Sequence, residues 1–397
     1  MTARKIHPID DGQYVRNLRK FVQPEFIFGP SARKLAGRYA KDFGACRVLV
    51  VTDPGVIAAG WTRDVTEGLE AAGLTFIVYD RVSPNPRSEE VMAGAAVYEK
   101  EECDVIVAVG GGSPIDCAKG IGIVSSNGRH ILEFEGIDRI AVPMPPLICI
   151  PTTGGTSADV SQFAIITSEQ KRSKIAIVSK AVVPDLSLID PVTLTTMPSR
   201  LTASTGLDAL THGIEAFVSS ASSPITDLHA LEAIRLISSN LVESMQHPDN
   251  LELRTRVMQG SLHAGMAFSN ASLGATHAMA HSLGGLLDIA HGECNSVLLD
   301  HVIDFNFEAT GVRYRRIGEA MGLKLGKMAV KEQKADILRR IRELREAVQV
   351  SGGLRVLGVS KADIPVLARK AVKDVCMVTN PRHPNQRDIE VIYDEAL

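Results

Sequence analysis

The second half of the chain contains histidines and a carboxylate at spacings that suit metal binding. His277 and His281 lie four residues apart in a helical stretch, and His291 follows ten residues after His281. Upstream, Asp208 and His212 repeat the spacing of four. Residues four apart lie on one face of a helix, so two such helices can close on one metal ion. Nitrogen and carboxylate ligands suit Fe(II) or Zn(II), and the lack of thiolates in this set argues mildly against a structural zinc site.

Each of these side chains also has a simpler interpretation. A single histidine is more often a surface residue or a hydrogen-bonded core residue than a metal ligand. Cys294, three residues after His291, could also contribute a thiolate. The mostly apolar helical context favours a metal site over separate structural roles. The expected ligands are Asp208, His212, His277 and His291.

A glycine cluster in the first half could hold an anion. Residues 104–116 have the pattern of a strand, three glycines and the start of a helix, which Ser113 can cap and for which Pro114 suits the first position. Glycines let the backbone come close to a ligand, and the N–H groups at a helix N-terminus favour an anion such as a pyrophosphate. A tight turn that binds nothing has the same pattern, and residues 110–112 do not form the G-x-G-x-x-G of the Rossmann fingerprint.

Two further strand ends carry polar side chains. Asp53 follows the strand that ends at Val51, where a carboxylate can accept hydrogen bonds from an adenosine ribose. Such a carboxylate would repel a 2′-phosphate, which favours NAD over NADP. Asp is also common in turns such as 53–55, and residues 151–157 suit a polar ligand but also match an ordinary loop.

The elements that must position these residues fall into two parts. Strand and helix patterns alternate in the first half, which predicts a parallel sheet covered by helices. After about Pro198, helical periodicity replaces the strand pattern. We therefore expect an α/β domain over residues 1–197, an all-α domain over residues 198–397 and a site in the cleft between them. The predicted strands are 47–51, 75–79, 104–109, 147–150, 163–166, 174–178 and 186–189, with 163–166 and 174–178 as a possible hairpin.

Composition excludes several classes of protein. The 397 residues are 45% hydrophobic, enough for two cores, and a net charge of −3 gives no basic face for nucleic acid. The polar N-terminal segment lacks the apolar centre of a secretory signal, and no run approaches the roughly 18 apolar residues of a membrane span. The six cysteines are scattered without a C-x-x-C, as reduced thiols are. We expect a cytoplasmic protein with no nucleic-acid or membrane partner.

Taken together, the motifs resemble those of the iron-containing (group III) alcohol dehydrogenases over nearly the whole chain. The resemblance rests on residues 110–119, 151–153 and 206–212, and on residues 277–281 with His291 ten residues on. It implies an α/β dinucleotide-binding domain followed by an all-α domain, as in the iron-containing alcohol dehydrogenase and dehydroquinate synthase-like fold. NAD(P) would lie in the cleft, with one metal ion below the nicotinamide.

The resemblance also implies a role for each matching residue. Asp208, His212, His277 and His291 match the metal ligands, for Fe(2+) with Zn(2+) as a possibility. His281 matches a histidine near the nicotinamide that is not a ligand, and either a proton relay or a purely orienting role fits it. The cofactor contacts would be Asp53 at the adenosine ribose, Gly110, Gly111, Gly112 and Ser113 at the pyrophosphate, and Thr152, Thr153 and Lys174 near the ribose and nicotinamide.

The implied reaction interconverts a small primary alcohol or diol and its aldehyde with NAD(H). The metal would act as a Lewis acid on the substrate oxygen, and the protein would form a homodimer or larger homo-oligomer. A glycerol dehydrogenase-like or dehydroquinate synthase-like metalloenzyme is an alternative, and so is a catalytically silent NAD-binding regulatory protein. The chain departs from the common family pattern at residues 154–159 and at Ala290, which could alter the cofactor and substrate pocket.

Overall fold

Short apolar runs in the first half of the chain form the strands of the fold. The computed structural model describes residues 20–350 and 352–397, so the expectation about a secretory signal lies outside the described residues. Each of the seven predicted strands is present, with bounds that differ by at most two residues. The strands are β1 (Glu25–Phe28), β2 (Arg47–Val51), β3 (Thr75–Tyr79), β4 (Val105–Gly110), β5 (Gly136–Ile137), β6 (Leu147–Pro151), β7 (Phe163–Ser168), β8 (Ser173–Val178) and β9 (Leu186–Ile189).

Helices cover the sheet and then make up the remainder of the chain. The α-helices are α1 (Ala36–Asp42), α2 (Pro54–Ala58), α3 (Trp61–Ala71), α4 (Ser88–Lys100), α5 (Gly112–Asn127), α6 (Ser199–Val218), α7 (Pro224–Gln246), α8 (Leu251–Ala271), α9 (Ala275–Leu287), α10 (His291–Ala320), α11 (Val330–Ala347), α12 (Ile364–Ala371) and α13 (Gln386–Glu395). Short 3-10 helices span Ala32–Leu35, Ile131–Phe134, Ala158–Val160, Lys180–Val182, Pro191–Thr196 and Val375–Thr379.

The main sheet has six parallel strands in the order β1-β9-β6-β4-β2-β3. Successive side chains of a strand point to opposite faces, so alternate residues enter two separate cores. In β2, Val48 and Val50 pack with α1 and α3 on one face, whereas Leu49 and Val51 pack with α4 and α5 on the other. Both faces are therefore buried, which explains why these strands are continuous apolar runs.

The predicted hairpin lies outside the main sheet. Strands β7 and β8 pair antiparallel, with Phe163 opposite Val178 and Ser168 opposite Ser173. With β5 they form a separate three-stranded sheet, in which β5 runs parallel to β8. This small sheet packs against α5 and α9, so it links the two halves of the chain.

Helix α6 is the centre of the helical half. It begins directly after Pro198, and every residue from 202 to 218 is buried against α7, α8 and α10. Gly206 permits part of this packing, because a Cβ there would lie 2.3 Å from Leu241 Cδ1. None of the helices in residues 20–350 and 352–397 is long and apolar enough to cross a membrane.

Candidate active site

A cavity of about 1350 Å³ lies where the loops after β2, β4 and β6 face helices α6, α9 and α10. The carboxyl ends of parallel strands meet at one edge of a sheet, and ligands of open α/β sheets bind there. Gly110 is the last residue of β4 and borders the cavity through its neighbour Gly111. The other predicted site residues all line the cavity: Asp53, Gly111, Gly112, Ser113, Thr152, Thr153, Lys174, Asp208, His212, His277, His281 and His291.

Three of the four expected metal ligands form a tight cluster at one end of the cavity. Potential ligand atoms of Asp208, His277 and His291 all lie within 4.8 Å of one another. The Nε2 atoms of His277 and His291 are 3.7 and 3.8 Å from Asp208 Oδ1. Ligands held about 2.1 Å from one ion stand roughly 3.4 Å apart in a tetrahedral arrangement. The two distances from Asp208 Oδ1 to the histidine nitrogens are therefore close to the ligand-to-ligand spacing of a tetrahedral metal site.

His212 adjoins this cluster without belonging to its tightest group. Its ring stacks between Phe268 and His277, with centroid distances of 4.3 and 4.5 Å. Among the described residues, the buried Nδ1 atoms of His212 and His291 have no hydrogen-bond partner. Three imidazoles beside one carboxylate fit Fe(II) or Zn(II), because both ions accept nitrogen and oxygen ligands.

The electrostatics of the cluster favour an ionised carboxylate. Burial alone would raise the pKa of Asp208, but the imidazoles of His212, His291 and His277 lower it below its usual range. Burial lowers the pKa of His212 to about 4 and that of His291 well below its usual value. These two rings are therefore neutral near pH 7, as metal-binding imidazoles must be. Burial would also lower the pKa of His277, but its hydrogen bonds with Asp208 and Glu215 raise that pKa to about 9, so this ring must release a proton when a metal binds.

Asn295 is a site residue that the sequence analysis missed. Its Nδ2 donates to Asp208 Oδ1 at 2.6 Å and lies 3.1 and 3.2 Å from the Nε2 atoms of His277 and His291. Asn295 is fully buried one helical turn after His291. That spacing of four was the available signal, because the side chain shares a helix face with His291.

Glu215 is a second residue that the sequence analysis left without a role. Its Oε2 lies 2.7 Å from Nδ1 of His277, and its Oε1 accepts a hydrogen bond from the backbone N–H of Thr276 at 2.6 Å. Burial would raise the pKa of Glu215, but the hydrogen bond with His277 lowers it. Glu215 lies on the same face of α6 as Asp208, seven residues on, so its position was readable from the sequence.

His281 is held by a carboxylate from a distant part of the chain. Its Nδ1 lies 2.9 Å from Asp374 Oδ2, and its ring stacks on His291 with a centroid distance of 5.2 Å. Asp374 in turn accepts a hydrogen bond from the backbone N–H of Cys376 at 2.8 Å. No local spacing in the sequence could have paired residues 93 positions apart.

The glycine loop meets the cavity at the start of α5. Gly110 has a φ of +156°, and a Cβ there would lie 2.5 Å from Pro114 Cγ, so the position favours glycine. The prediction that Ser113 caps the helix is wrong, because α5 begins at Gly112 with Gly111 as its N-cap. The glycines themselves form the helix start, which places Ser113 in the first turn.

Two of the remaining cofactor candidates, Asp53 and Lys174, have structural partners as well as cavity exposure. Asp53 Oδ1 accepts a hydrogen bond from Val56 N at 2.9 Å and caps α2, so the turn role considered for it is present. Lys174 Nζ donates to Asn85 Oδ1 at 2.7 Å, and burial lowers the pKa of this lysine. The buried Oγ1 of Thr153 has no hydrogen-bond partner among the described residues.

Cys294 does not join the ligand cluster. Its side chain is fully buried in the apolar core of the helical half. Burial raises the pKa of the Cys294 thiol to about 12, so the group is protonated near pH 7. Only a thiolate is a good metal ligand, so the alternative of a sulfur ligand gains no support here.

Comparison with known proteins covers nearly the whole chain. Residues 23–191 match the family model "Iron-containing alcohol dehydrogenase", and residues 202–397 match "Fe-containing alcohol dehydrogenase family, C-terminal". The 1,3-propanediol dehydrogenase of Klebsiella pneumoniae is 39% identical over 373 residues, which cover 94% of this chain and 96% of that protein. The NAD-dependent methanol dehydrogenase of Bacillus methanolicus is 33% identical over 377 residues, which cover 95% and 99%.

Solved structures include close matches to the fold. The crystal structure of a 1,3-propanediol oxidoreductase superposes with a TM-score of 0.93 at 38% sequence identity, and the match covers 96% of this chain and 100% of that chain.

Proposed function

This chain belongs to the iron-containing alcohol dehydrogenase family, and we propose that it interconverts a small primary alcohol or diol and its aldehyde with NAD(H). It is an oxidoreductase of alcohols and aldehydes, as its relatives are. The observation that carries the proposal is the convergence of Asp208, His277 and His291 at one end of a cavity that also reaches the glycine loop.

We propose Asp208, His212, His277 and His291 as the ligands of one divalent ion, Fe(2+) or Zn(2+). Three of them already present their ligand atoms to a common point, and His212 stacks beside them. When bound, the ion supplies Lewis acidity to the substrate oxygen, and the nicotinamide accepts or returns the hydride. Buried apolar side chains of α6, α8 and α9 surround the cluster and would limit the access of bulk water to a bound substrate.

We propose that the cofactor lies along the cavity from Asp53 to Lys174. The backbone N–H groups of Gly112 and Ser113, at the start of α5, would hold the pyrophosphate, since a helix N-terminus favours an anion. Thr152, Thr153 and Lys174 would contact the ribose and nicotinamide end. The carboxylate of Asp53 favours NAD, and a relative is named as an NAD-dependent enzyme.

We propose His281 as the group that exchanges a proton with the substrate oxygen. It lines the cavity, and Asp374 occupies its Nδ1, so Nε2 is the ring nitrogen left for the substrate. On oxidation, the alcohol O–H proton would pass to Nε2 of His281, and the carbon-bound hydrogen would leave with its electron pair to the nicotinamide. A purely orienting role for His281 is the alternative, and a histidine that only orients would leave no His281-dependent step in the pH profile of turnover.

The proposal also includes the domain boundaries, the assembly state and the cellular location of the protein. We propose that the two domains are residues 1–197 and 198–397, and the bounds of the two family matches and the start of α6 at Ser199 support this division. We also propose a homodimer or larger homo-oligomer, on the basis of the family resemblance, and a cytoplasmic location, on the basis of the composition. Sedimentation of the purified protein would measure the assembly.

The experiment for this function is a substrate panel. The protein is purified anaerobically, loaded with Fe(II) or Zn(II) and mixed with NAD and C2–C6 alcohols, diols and glycerol while NADH absorbance is followed. Turnover of primary alcohols or diols supports the proposal. A preference for glycerol would favour the glycerol dehydrogenase-like alternative, and no turnover with either ion would favour the silent regulatory protein.

A further inference from the structure

Glu215 is a charged residue in the apolar centre of the helical half. It lies in α6, three residues after His212, and its side chain is only 4% exposed. An ionised carboxylate in such a place is costly unless hydrogen-bond donors surround it. The donors that face Glu215 therefore indicate what the side chain is for.

Within the described residues, the hydrogen-bond donors to the Glu215 carboxylate come from the start of α9. Oε2 accepts from Gly274 N at 3.0 Å and lies 2.7 Å from Nδ1 of His277. Oε1 accepts from Thr276 N at 2.6 Å. The carboxylate thus binds both the free N–H groups of a helix N-terminus and the ring of one expected metal ligand.

We propose that Glu215 is a positioning residue that sets the tautomer and orientation of His277 for metal binding. A carboxylate can only accept a hydrogen bond, so the proton of the neutral ring stays on Nδ1. The lone pair of Nε2 then points to Asp208, 3.7 Å away, where the ion is expected. This inference rests on the proposed function, because it assigns a role at the same metal site.

A purely structural role for Glu215 must be separated from this one. Capping the N-terminus of α9 could by itself explain a buried carboxylate at this place. Asn380 offers a matched control, because its Oδ1 accepts from Ala275 N at 3.0 Å at the same helix start. Asn380 is also buried, and its side-chain hydrogen bonds within the described residues go to Ala275, Asn306 and Arg382, not to His277.

The test compares Glu215→Gln with Asn380→Ala. The glutamine of the first variant would keep one acceptor oxygen for the backbone but could place its amide N–H against His277 Nδ1. The ring would then carry its proton on Nε2, which cannot bind a metal. Metal affinity is measured anaerobically by competition with a chelator, and the thermal unfolding of each metal-free variant is recorded alongside.

We expect E215Q to bind Fe(II) or Zn(II) about 10- to 100-fold more weakly than the wild type. N380A should keep the wild-type metal affinity within about threefold, even where it unfolds at a lower temperature. Wild-type affinity in E215Q would overturn the inference, and so would an equal loss in both variants, which would assign the effect to the helix start.

A second measurement applies even if E215Q fails to fold. Burial would lower the pKa of His277, but the hydrogen bonds with Asp208 and Glu215 raise it to about 9, so the tautomer is read above that pH, where the ring is neutral. There, nitrogen-15 NMR of the metal-free wild type should show His277 protonated on Nδ1 alone, and its signal is assigned by its loss in His277→Gln. A neutral ring protonated on Nε2 instead would contradict the inference. A wild-type protein that binds no metal would instead contradict the proposed function, while the NMR result would still decide the tautomer.

Discussion

At the scale of single residues, the site is built around Asp208. Its Oδ1 lies 3.7 Å from His277 Nε2 and 3.8 Å from His291 Nε2, and it accepts a hydrogen bond from Asn295 Nδ2 at 2.6 Å. Residue types and spacings of four drew attention to Asp208, His212 and the pair His277 and His281, whereas the choice of His291 rather than His281 as a ligand rested on the family resemblance. Asn295 was not singled out, because an amide has no such characteristic chemistry.

Asn295→Ala tests whether the amide helps to hold the ligand cluster. Removing the donor to Asp208 Oδ1 frees that carboxylate to rotate, so we expect metal affinity to fall about tenfold. Chelator competition measures this. Asn240→Ala is the control, because this buried amide donates to Leu236 O within α7, away from the cavity. Equal metal affinity in the two variants would mean that Asn295 has no role in ligand placement.

Asp53→Asn tests the cofactor preference. Asn caps a helix about as well as Asp, so α2 should be kept while the charge is removed. Loss of the repulsion between a carboxylate and a 2′-phosphate should narrow the preference for NADH over NADPH by about tenfold. Fluorescence titration with the two reduced cofactors measures the ratio of their Kd values. An unchanged ratio would show that the charge of Asp53 does not select the cofactor.

At the scale of elements, the strands were predictable, and so was the change to helices near Pro198, but the exact start of α5 was not. A strand buried on both faces is a continuous apolar run, so its position can be read directly. The start of α5 depends on the conformation of Gly111, and a sequence gives no dihedral angles, so the capping role was assigned to Ser113 instead. The hairpin of β7 and β8 was predicted, but its place with β5 in a sheet separate from the main one was not, because strand partners distant in sequence are set by tertiary packing.

Gly110→Ala tests whether the glycine loop binds the pyrophosphate of the cofactor. The new Cβ would meet Pro114 at a positive φ, so the loop must shift, and we expect NADH to bind at least about tenfold more weakly. Metal content should stay at the wild-type level. Gly128→Ala is the control, because Gly128 ends the same helix at a φ of +63° with open space around its Cβ position. If both variants bound NADH equally weakly, the cause would be disruption of α5 as a whole and not a role of the glycine loop in cofactor binding.

At the scale of the whole molecule, the two halves of the chain each supply part of one cavity. The first half contributes strand ends such as Asp53 and Thr152, and the second contributes the ligand cluster on α6, α9 and α10. The change from alternating strands to continuous helices was predictable from periodicity. The contact between His281 and Asp374 was not, because only the packing of the chain brings them together.

The central claim is that turnover depends on one metal ion held by the cluster around Asp208. The most direct test measures bound metal and alcohol-dependent NADH formation in the wild type and in Asp208→Asn, both purified anaerobically. Asp304→Asn is the control, because Asp304 pairs with Lys334 at 2.8 Å and does not line the cavity. We expect about one ion per chain in the wild type and in D304N, and in D208N little metal and turnover lower by about 1000-fold. Full metal content and full turnover in D208N, or undiminished wild-type turnover after the metal is removed, would contradict the account.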